Sequence, residues 1–321
     1  MIDHSVTLRS LILTLALTSP AGAFDLPPFK LAWPVDCTLG QTCHIQHYVD
    51  RDASPAAQDF ACGTLSYDGH DGTDIALPNR AAMALGVDVL AAAPGTVLGT
   101  RDGIPDFVPP VPGKECGNGV LVDDGDGWQT QYCHMKQGSV IARMGDQVTT
   151  GTVLGQIGQS GAADFPHLHL TVRHDKKPVD PFAPDQTTCG PPTSNGLWAT
   201  ALPYEAGGFL AAGFTTQIPS FDAIQAGLLT EPLAADSPAI VLWAEVFGGQ
   251  AGDVMAFLIS APDGQKFLQT TATLEKNQDQ LFRAVGKTLH ADLPSGTYLG
   301  TVTLQRHGAD VGQITTQVTV R

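Results

Sequence analysis

Residues 117–135 read GNGVLVDDGDGWQTQYCHM, two strand-like runs joined by a string of aspartates and glycines. Such a string is a strong hairpin signal, because Asp-Gly pairs suit the left-handed backbone of tight two-residue turns. A turn centred between Asp124 and Gly125 sets Cys116 directly opposite Cys133. A cross-strand disulfide follows from that register and is lost if the register slips. The same alternation of short apolar run and Gly, Asp or Pro punctuation recurs in VDVLAAAPGTVLGT (87–100), DQVTTGTVLGQIG (146–158) and HLHLTVR (167–173). The chain is therefore expected to be all-β, with antiparallel strands.

Beyond this region, residues 184–208 (PDQTTCGPPTSNGLWATALPYEAGG) are rich in Pro, Gly, Ser and Thr and read as a linker. Past them, AIVLWAEVFGG (239–249), VMAFLISAPDGQKFLQTTATL (254–274) and GTYLGTVTLQRHGADVGQITTQVTV (296–320) alternate apolar and polar residues at period two. Short strands so spaced predict a β-sandwich of immunoglobulin-like type over 209–321. That region holds His290 and His307 but no cysteine and no cluster suited to chemistry, so its expected role is packing or positioning, with no partner assigned.

At the other end, Arg9 precedes an apolar run from Leu11 to Leu17, and Ala21-Gly22-Ala23 has the small-residue pattern of a signal-peptidase site. Residues 1–23 are thus expected to be a signal peptide, leaving the protein in the periplasm or outside the cell. The run is too short to span a bilayer, and no later segment offers about 18 uninterrupted apolar residues, so no transmembrane segment is expected. The formal charge of −15 leaves no basic patch to displace counterions and argues against a nucleic acid partner. All six cysteines follow residue 23, and an even number in an exported chain reads as disulfides. No C-x-x-C pair is present to suggest a zinc ribbon.

The residues that suggest chemistry lie in the middle of the chain. FPHLHL (165–170) places His167 and His169 at i and i+2, where a strand points both side chains to one face. YDGHDGTDIAL (67–77) places His70 and Asp74 with three residues between them, in a glycine-broken turn rather than a helix. TQYCHM (130–135) adds His134 at the end of a hairpin strand. Each alone is weak evidence, since strand histidines are commonly structural. Together they put four histidines and an aspartate at strand ends beside glycine turns. A catalytic zinc site takes three protein ligands and keeps one open position. His70, Asp74 and one of the 167/169 pair would supply a His₂Asp set, and the two remaining histidines would handle protons and steady an oxyanion.

GHDGTDIAL (69–77), APGTV (93–97), GNGVLVDDGDGWQTQYCHM (117–135) and GDQVTTGTVLGQIGQSGAADFPHLHL (145–170) follow one another in an order that resembles the lysostaphin/LytM-type zinc metallopeptidases. The resemblance covers roughly residues 65–182. It implies a compact antiparallel β-structure with an active-site groove, and hydrolysis of peptide bonds in the stem peptides and crosslinks of bacterial peptidoglycan. It further implies one Zn²⁺ per chain held by His70, Asp74 and His169, with His134 and His167 as the catalytic pair. Degenerate relatives that act as regulators lose some of these positions, whereas this chain keeps all five.

The chain departs from the family's pattern in three places. Leu170 stands where an aromatic residue is common. The proline-rich insertion at 101–117 is expected on the groove rim. The segment CTLGQTCHIQHYVDRD (37–52) has no counterpart in the minimal domain. Its His44, His47 and Asp50 could be taken for a second metal site, but a disulfide-braced surface segment beside the groove is the preferred reading. The expected organisation is a signal peptide (1–23), a disulfide-braced segment (24–64), a metallopeptidase domain (65–183), a linker (184–208) and a β-sandwich (209–321). An alternative to the enzyme is a latent or non-hydrolytic cell-wall-binding regulator, its groove covered by 37–52 or by the proline loop. The glycine-punctuated hairpin at 144–161 also resembles biotinyl and lipoyl carriers, but neither Lys136 nor Lys114 occupies the required hairpin tip.

Overall fold

The hairpin turns one Asp-Gly pair later than the sequence register placed it. Asp126 (φ 49°) and Gly127 (φ 81°) form the two-residue turn, both left-handed as such turns require. Strand β5 (Asn118–Gly125) enters it and strand β6 (Trp128–Met135) leaves it, with Gly125 opposite Trp128. The Cys116–Cys133 disulfide nevertheless forms. Cys116 lies outside β5, beyond a left-handed Gly117 (φ 63°), and the chain folds back there to bring the two sulfurs together.

The computed structural model describes residues 1–2, 28–191, 194, 196–228 and 230–321. From residue 3 onward, the signal peptide expected over 1–23 lies outside the described residues. The remaining elements of the first half are β1 (His44–His47), β2 (Thr73–Ala76), α1 (Arg80–Leu85), β3 (Asp88–Leu90), β4 (Gly95–Arg101), β7 (Gln147–Val148), β8 (Val153–Gln156), β9 (His167–His174) and β10 (Lys177–Pro178). Among the described residues the main sheet runs β1-β2-β9-β6-β5-β4-β7, with β10 on the end of β9, and β3 pairs with β8. Every pairing between these strands is antiparallel.

Strand β9 shows how the pattern becomes a core. Leu168, Leu170 and Val172 alternate onto one face and are fully buried, each stabilising the fold by about 1.5–3 kcal/mol. They join Ile75, Leu77, Tyr132 and Met135 in one apolar cluster. His167, His169 and Thr171 take the opposite face.

The segment read as lying on the surface instead contributes a strand. All four residues of β1 are buried, and β1 pairs with β2 as the outer strand of the sheet. Disulfides Cys37–Cys43 and Cys62–Cys189 brace the region, and among the described residues no cysteine is free. In residues 184–208, Leu197 and Trp198 are buried in the first core.

The second half consists of β11 (Gly208–Thr215), α2 (Phe221–Gln225), β12 (Ala239–Gly249), β13 (Val254–Ser260), β14 (Lys266–Thr273), β15 (Gln278–Thr288), β16 (Gly296–Arg306) and β17 (Ala309–Val320). Sheet β11-β12-β15 and sheet β14-β13-β16-β17 enclose a second core that includes Phe214, Leu242, Phe257, Tyr298 and Val302. The alternating pattern read at 254–260 is the in-out burial of β13 between these sheets. The chain is all-β apart from two short helices among the described residues. No helix among them is long and apolar enough to cross a membrane.

Candidate metal centre

Strand register brings the site residues together. Across the sheet, His47 of β1 lies opposite Asp74 of β2, Asp74 opposite His169 of β9, and His169 opposite Cys133 of β6. Residues opposite one another in an antiparallel pair share a face. One row across four strands therefore sets three ionisable side chains side by side. His167 lies two residues from His169 on that same face, opposite Ala76.

His134 reaches the site by a different route. Strand alternation would put it with Tyr132 on the core face, opposite Cys133. Its backbone is instead left-handed (φ 62°), a conformation uncommon for non-glycine residues and enriched in His, Asn and Asp. Its N–H donates to the Cys116 carbonyl at 2.8 Å, and its ring lies 4.6 Å from that of His167.

His70 approaches from the turn before β2. Its Nε2 is 3.1 Å from Asp74 Oδ1 and 3.2 Å from His169 Nδ1, and His169 Nδ1 is 2.8 Å from the same Asp74 oxygen. Gly72 permits this approach, because a Cβ there would stand 2.5 Å from His169 Nε2 and 2.8 Å from the Leu170 carbonyl. His70, Asp74 and His169 are the group of donors among the described residues that could hold a metal ion. His44 and Asp50 are engaged elsewhere. His44 Nε2 bonds Gln46, and the Asp50 carboxylate accepts backbone N–H groups of Asp52, Gln58 and Gly69.

The hydrogen bonds set which nitrogen of each ring is free. His70 Nδ1–H donates to the Tyr48 carbonyl at 2.7 Å, leaving Nε2 as the acceptor facing Asp74. His169 Nε2–H donates to Thr171 Oγ1 at 3.0 Å and lies 3.3 Å from Asp71 Oδ1, leaving Nδ1. His134 and His167 donate Nδ1–H to the carbonyls of Ser160 and Phe165, at 2.8 and 2.9 Å, which frees both Nε2 atoms.

Two acceptor nitrogens and a carboxylate oxygen thus converge where only a proton or a cation can bridge them. Donors around tetrahedral zinc, with bonds near 2.0–2.1 Å, sit about 3.3 Å apart. The observed separations of 2.8, 3.1 and 3.2 Å fit that ion. The rings of His70 and His169 each also have the other nitrogen held by an acceptor, the support that metal sites need.

Electrostatics sets Asp74 and His169 apart from His134 and His167. Burial alone would raise the Asp74 carboxyl, but His70, His167, His169 and His47 outweigh it and hold it well below the usual carboxylate range. Burial also opposes charge on His169, yet Asp71 and Asp74 push it up to about 9 in the ion-free protein. Burial, with His167 and His169 nearby, takes His134 down to about 3, and burial likewise lowers His167. These two rings are neutral at physiological pH and can accept protons.

Sequence reasoning missed the contact of His47. Its Nδ1 is 3.1 Å from Asp74 Oδ2, the oxygen turned away from His70 and His169. Its Nε2 is 3.7 Å from Asp279 Oδ1 of β15. Burial opposes its charge, but the carboxylates of Asp279 and Asp74 push it up to about 9. The signal available was a second histidine pair at i and i+3 in an apolar stretch, read there as a surface segment.

Residues 68–181 match the sequence model of Peptidase family M23. The cell division protein DipM of Caulobacter vibrioides is 35% identical over 118 residues, covering 35% of this chain and 17% of DipM. The peptidoglycan DD-endopeptidase ShyA of Vibrio cholerae is 28% identical over 111 residues, covering 35% of this chain and 22% of ShyA. Among solved structures, the catalytic domain of the prophage-encoded M23 protein EnpA from Enterococcus faecalis aligns with 25% identity and a TM-score of 0.30, over 43% of this chain and 98% of that one. The chain thus spans about a fifth of the length of these two curated relatives. The match to Peptidase family M23 over residues 68–181 takes in His70, Asp74, His134, His167 and His169.

Proposed function

We propose that the chain is an exported zinc-dependent endopeptidase, acting in the periplasm or outside the cell on the peptide crosslinks of bacterial peptidoglycan. In this reading 1–23 is a signal peptide, 24–64 a disulfide-braced segment, 65–183 the catalytic domain, 184–208 a linker and 209–321 a sandwich. The observation that carries it is the convergence of His70 Nε2, Asp74 Oδ1 and His169 Nδ1 beside two neutral imidazoles. Similarity to ShyA, named a peptidoglycan DD-endopeptidase, supports the substrate class.

His70, Asp74 and His169 would hold the ion. Zinc at this position supplies Lewis acidity toward a peptide carbonyl and makes water acidic enough to serve as nucleophile. His134 and His167, each with a free Nε2 and a pinned Nδ1–H, do the proton work. One accepts the proton released as water adds to the carbonyl, and a protonated imidazole then donates Nε2–H to the oxyanion or passes a proton to the leaving amine. Their low basicity keeps them neutral before the reaction, and their position beneath the surface keeps bulk water from competing.

A second reading has one observation in its favour. His70, Asp74, His134 and His167 are each less than a tenth exposed, which suits a latent form or a non-hydrolytic regulator. Digestion of purified peptidoglycan with and without a zinc chelator, followed by mass analysis of the fragments, separates the two. Chelator-sensitive loss of crosslinked fragments is expected, and their masses name the bond cut. Stoichiometric zinc without any cleavage would overturn the enzyme reading in favour of the regulator.

A further inference from the structure

We propose that His47, which lies outside the matched domain, is a positioning residue for the metal ligand Asp74, and that Asp279 of the sandwich braces it. The inference rests on the reading of His70, Asp74 and His169 as a zinc site.

A buried carboxylate ligand has two oxygens to satisfy. Asp74 is 2% exposed, and its Oδ1 faces His70 and His169. Its Oδ2 receives a hydrogen bond from His47 Nδ1 at 3.1 Å. Without that donor, Oδ2 would be a buried acceptor with no partner, and the carboxylate would be free to turn. Neighbouring aromatic rings fix the His47 ring. Tyr67 meets it edge-on at 5.4 Å, His70 at 5.8 Å, and Phe165 packs at 6.0 Å. A register irregularity between Ile45 and His47 sets the residue opposite Asp74.

The strand that carries His47 is in turn clamped by the sandwich. Gln46 Nε2 donates to the Asp279 carbonyl at 3.0 Å, and Gln280 Nε2 donates to Gln46 Oε1 at 2.9 Å. The Asp279 carboxylate sits 3.7 Å from His47 Nε2, a charge contact rather than a hydrogen bond. Asp279 thus faces the ring nitrogen that Asp74 does not use. The sandwich, 205 positions along the chain from Asp74, thereby acts on the orientation of a metal ligand. Outer partners of this kind typically govern metal affinity by 10–100-fold.

The test is the zinc dissociation constant of the full chain, read by competition with a chromogenic chelator, for wild type, His47→Leu, His47→Asn and Asp279→Ala. Leucine fills the pocket without a donor, and zinc should bind about 10–100-fold more weakly. Asparagine places an amide N–H near the position of Nδ1, so affinity should return to within about threefold of wild type. Asp279→Ala should weaken zinc in the His47 background but not in the His47→Leu background, the coupling that a relay requires. The Asp279 side chain is 67% exposed, so its removal leaves the fold intact and carries the test even if His47→Leu does not fold. Wild-type affinity in His47→Leu, or equal effects of Asp279→Ala in both backgrounds, would overturn the inference. A wild-type chain that binds no zinc would instead overturn the underlying reading of the site.

Discussion

His169 Nδ1 and Asp74 Oδ1 lie 2.8 Å apart although the two residues are 95 positions apart in the chain. They are direct partners across β2 and β9, and the pair exists because of register. A slip of one residue would turn His169 to the core and Leu168 or Leu170 to the site. The buried leucines therefore specify the geometry of the candidate site as much as the polar residues do, since their burial makes the alternative register costly.

Gly72 is the weak point of this arrangement. In Gly72→Ala the new Cβ would meet the His169 ring at 2.5 Å and the backbone oxygen of Leu170 at 2.8 Å, so the ring must move. Zinc affinity is expected to fall at least about tenfold, with a loss of about 1–3 kcal/mol in folding stability. Chelator competition and thermal melts of the same sample check both. Unchanged zinc affinity would show that the ring position is not critical.

The two neutral imidazoles should separate binding from turnover. His134→Ala and His167→Ala are expected to retain one zinc per chain while losing about 10²–10⁴-fold in kcat. His169→Ala and Asp74→Ala should instead lose the metal itself. Elemental analysis beside peptidoglycan digestion decides the matter, and loss of zinc in either of the first pair would move that residue into the ligand set.

The left-handed backbone of His134 depends on its surroundings. Its N–H donates to the carbonyl of Cys116, a residue tied by its sulfur to Cys133. Removing the bridge with the pair Cys116→Ser and Cys133→Ser should cost about 3 kcal/mol, as expected for a loop of this length. Turnover is expected to fall further than zinc affinity, because the bridge supports His134 more directly than His70, Asp74 or His169. Urea melts and zinc titration of the double variant measure the two effects. Equal losses in kcat and metal binding would show that the bridge supports the whole sheet.

Much of this was legible in the residues, for physical reasons. Period-two patterning exposed β9 and the sandwich strands because burial on one face leaves that signature. The His and Asp spacings beside glycine turns exposed the donors because a metal needs several side chains at once. The hairpin turn was misplaced because DDGDG offers two Asp-Gly pairs, and only the match of strand twist and cross-strand packing selects Asp126-Gly127. His134 was named without its route, since alternation alone puts it on the wrong face. His47 was read as a surface residue because its partners, Asp74 and Asp279, lie 27 and 232 positions away, and nothing local signals either.

In the second half of the chain, the buried carboxyl of Glu245 in β12 offers a test by pH. It is fully buried in β12, accepts a hydrogen bond from Gln225 Nε2, and its Oε2 has no partner. Burial, against that bond, pushes its carboxyl up to about 7 from an ordinary 4.5. Below about pH 4.5 the group is protonated in both folded and unfolded chains and contributes no pH dependence. Between about 4.5 and 7 the unfolded chain ionises while the folded one does not, so its stability falls as pH rises and levels off above about 7. Glu245→Gln keeps the acceptor for Gln225 and removes the ionisation. Relative to wild type, the variant should gain stability across that window, by at most about 3 kcal/mol at pH 8 compared with pH 4.5. Chemical denaturation of both proteins in chelator at several pH values measures the gap. A gap that stays constant from pH 4.5 to 8 would mean that the carboxylate ionises in the fold as readily as in water.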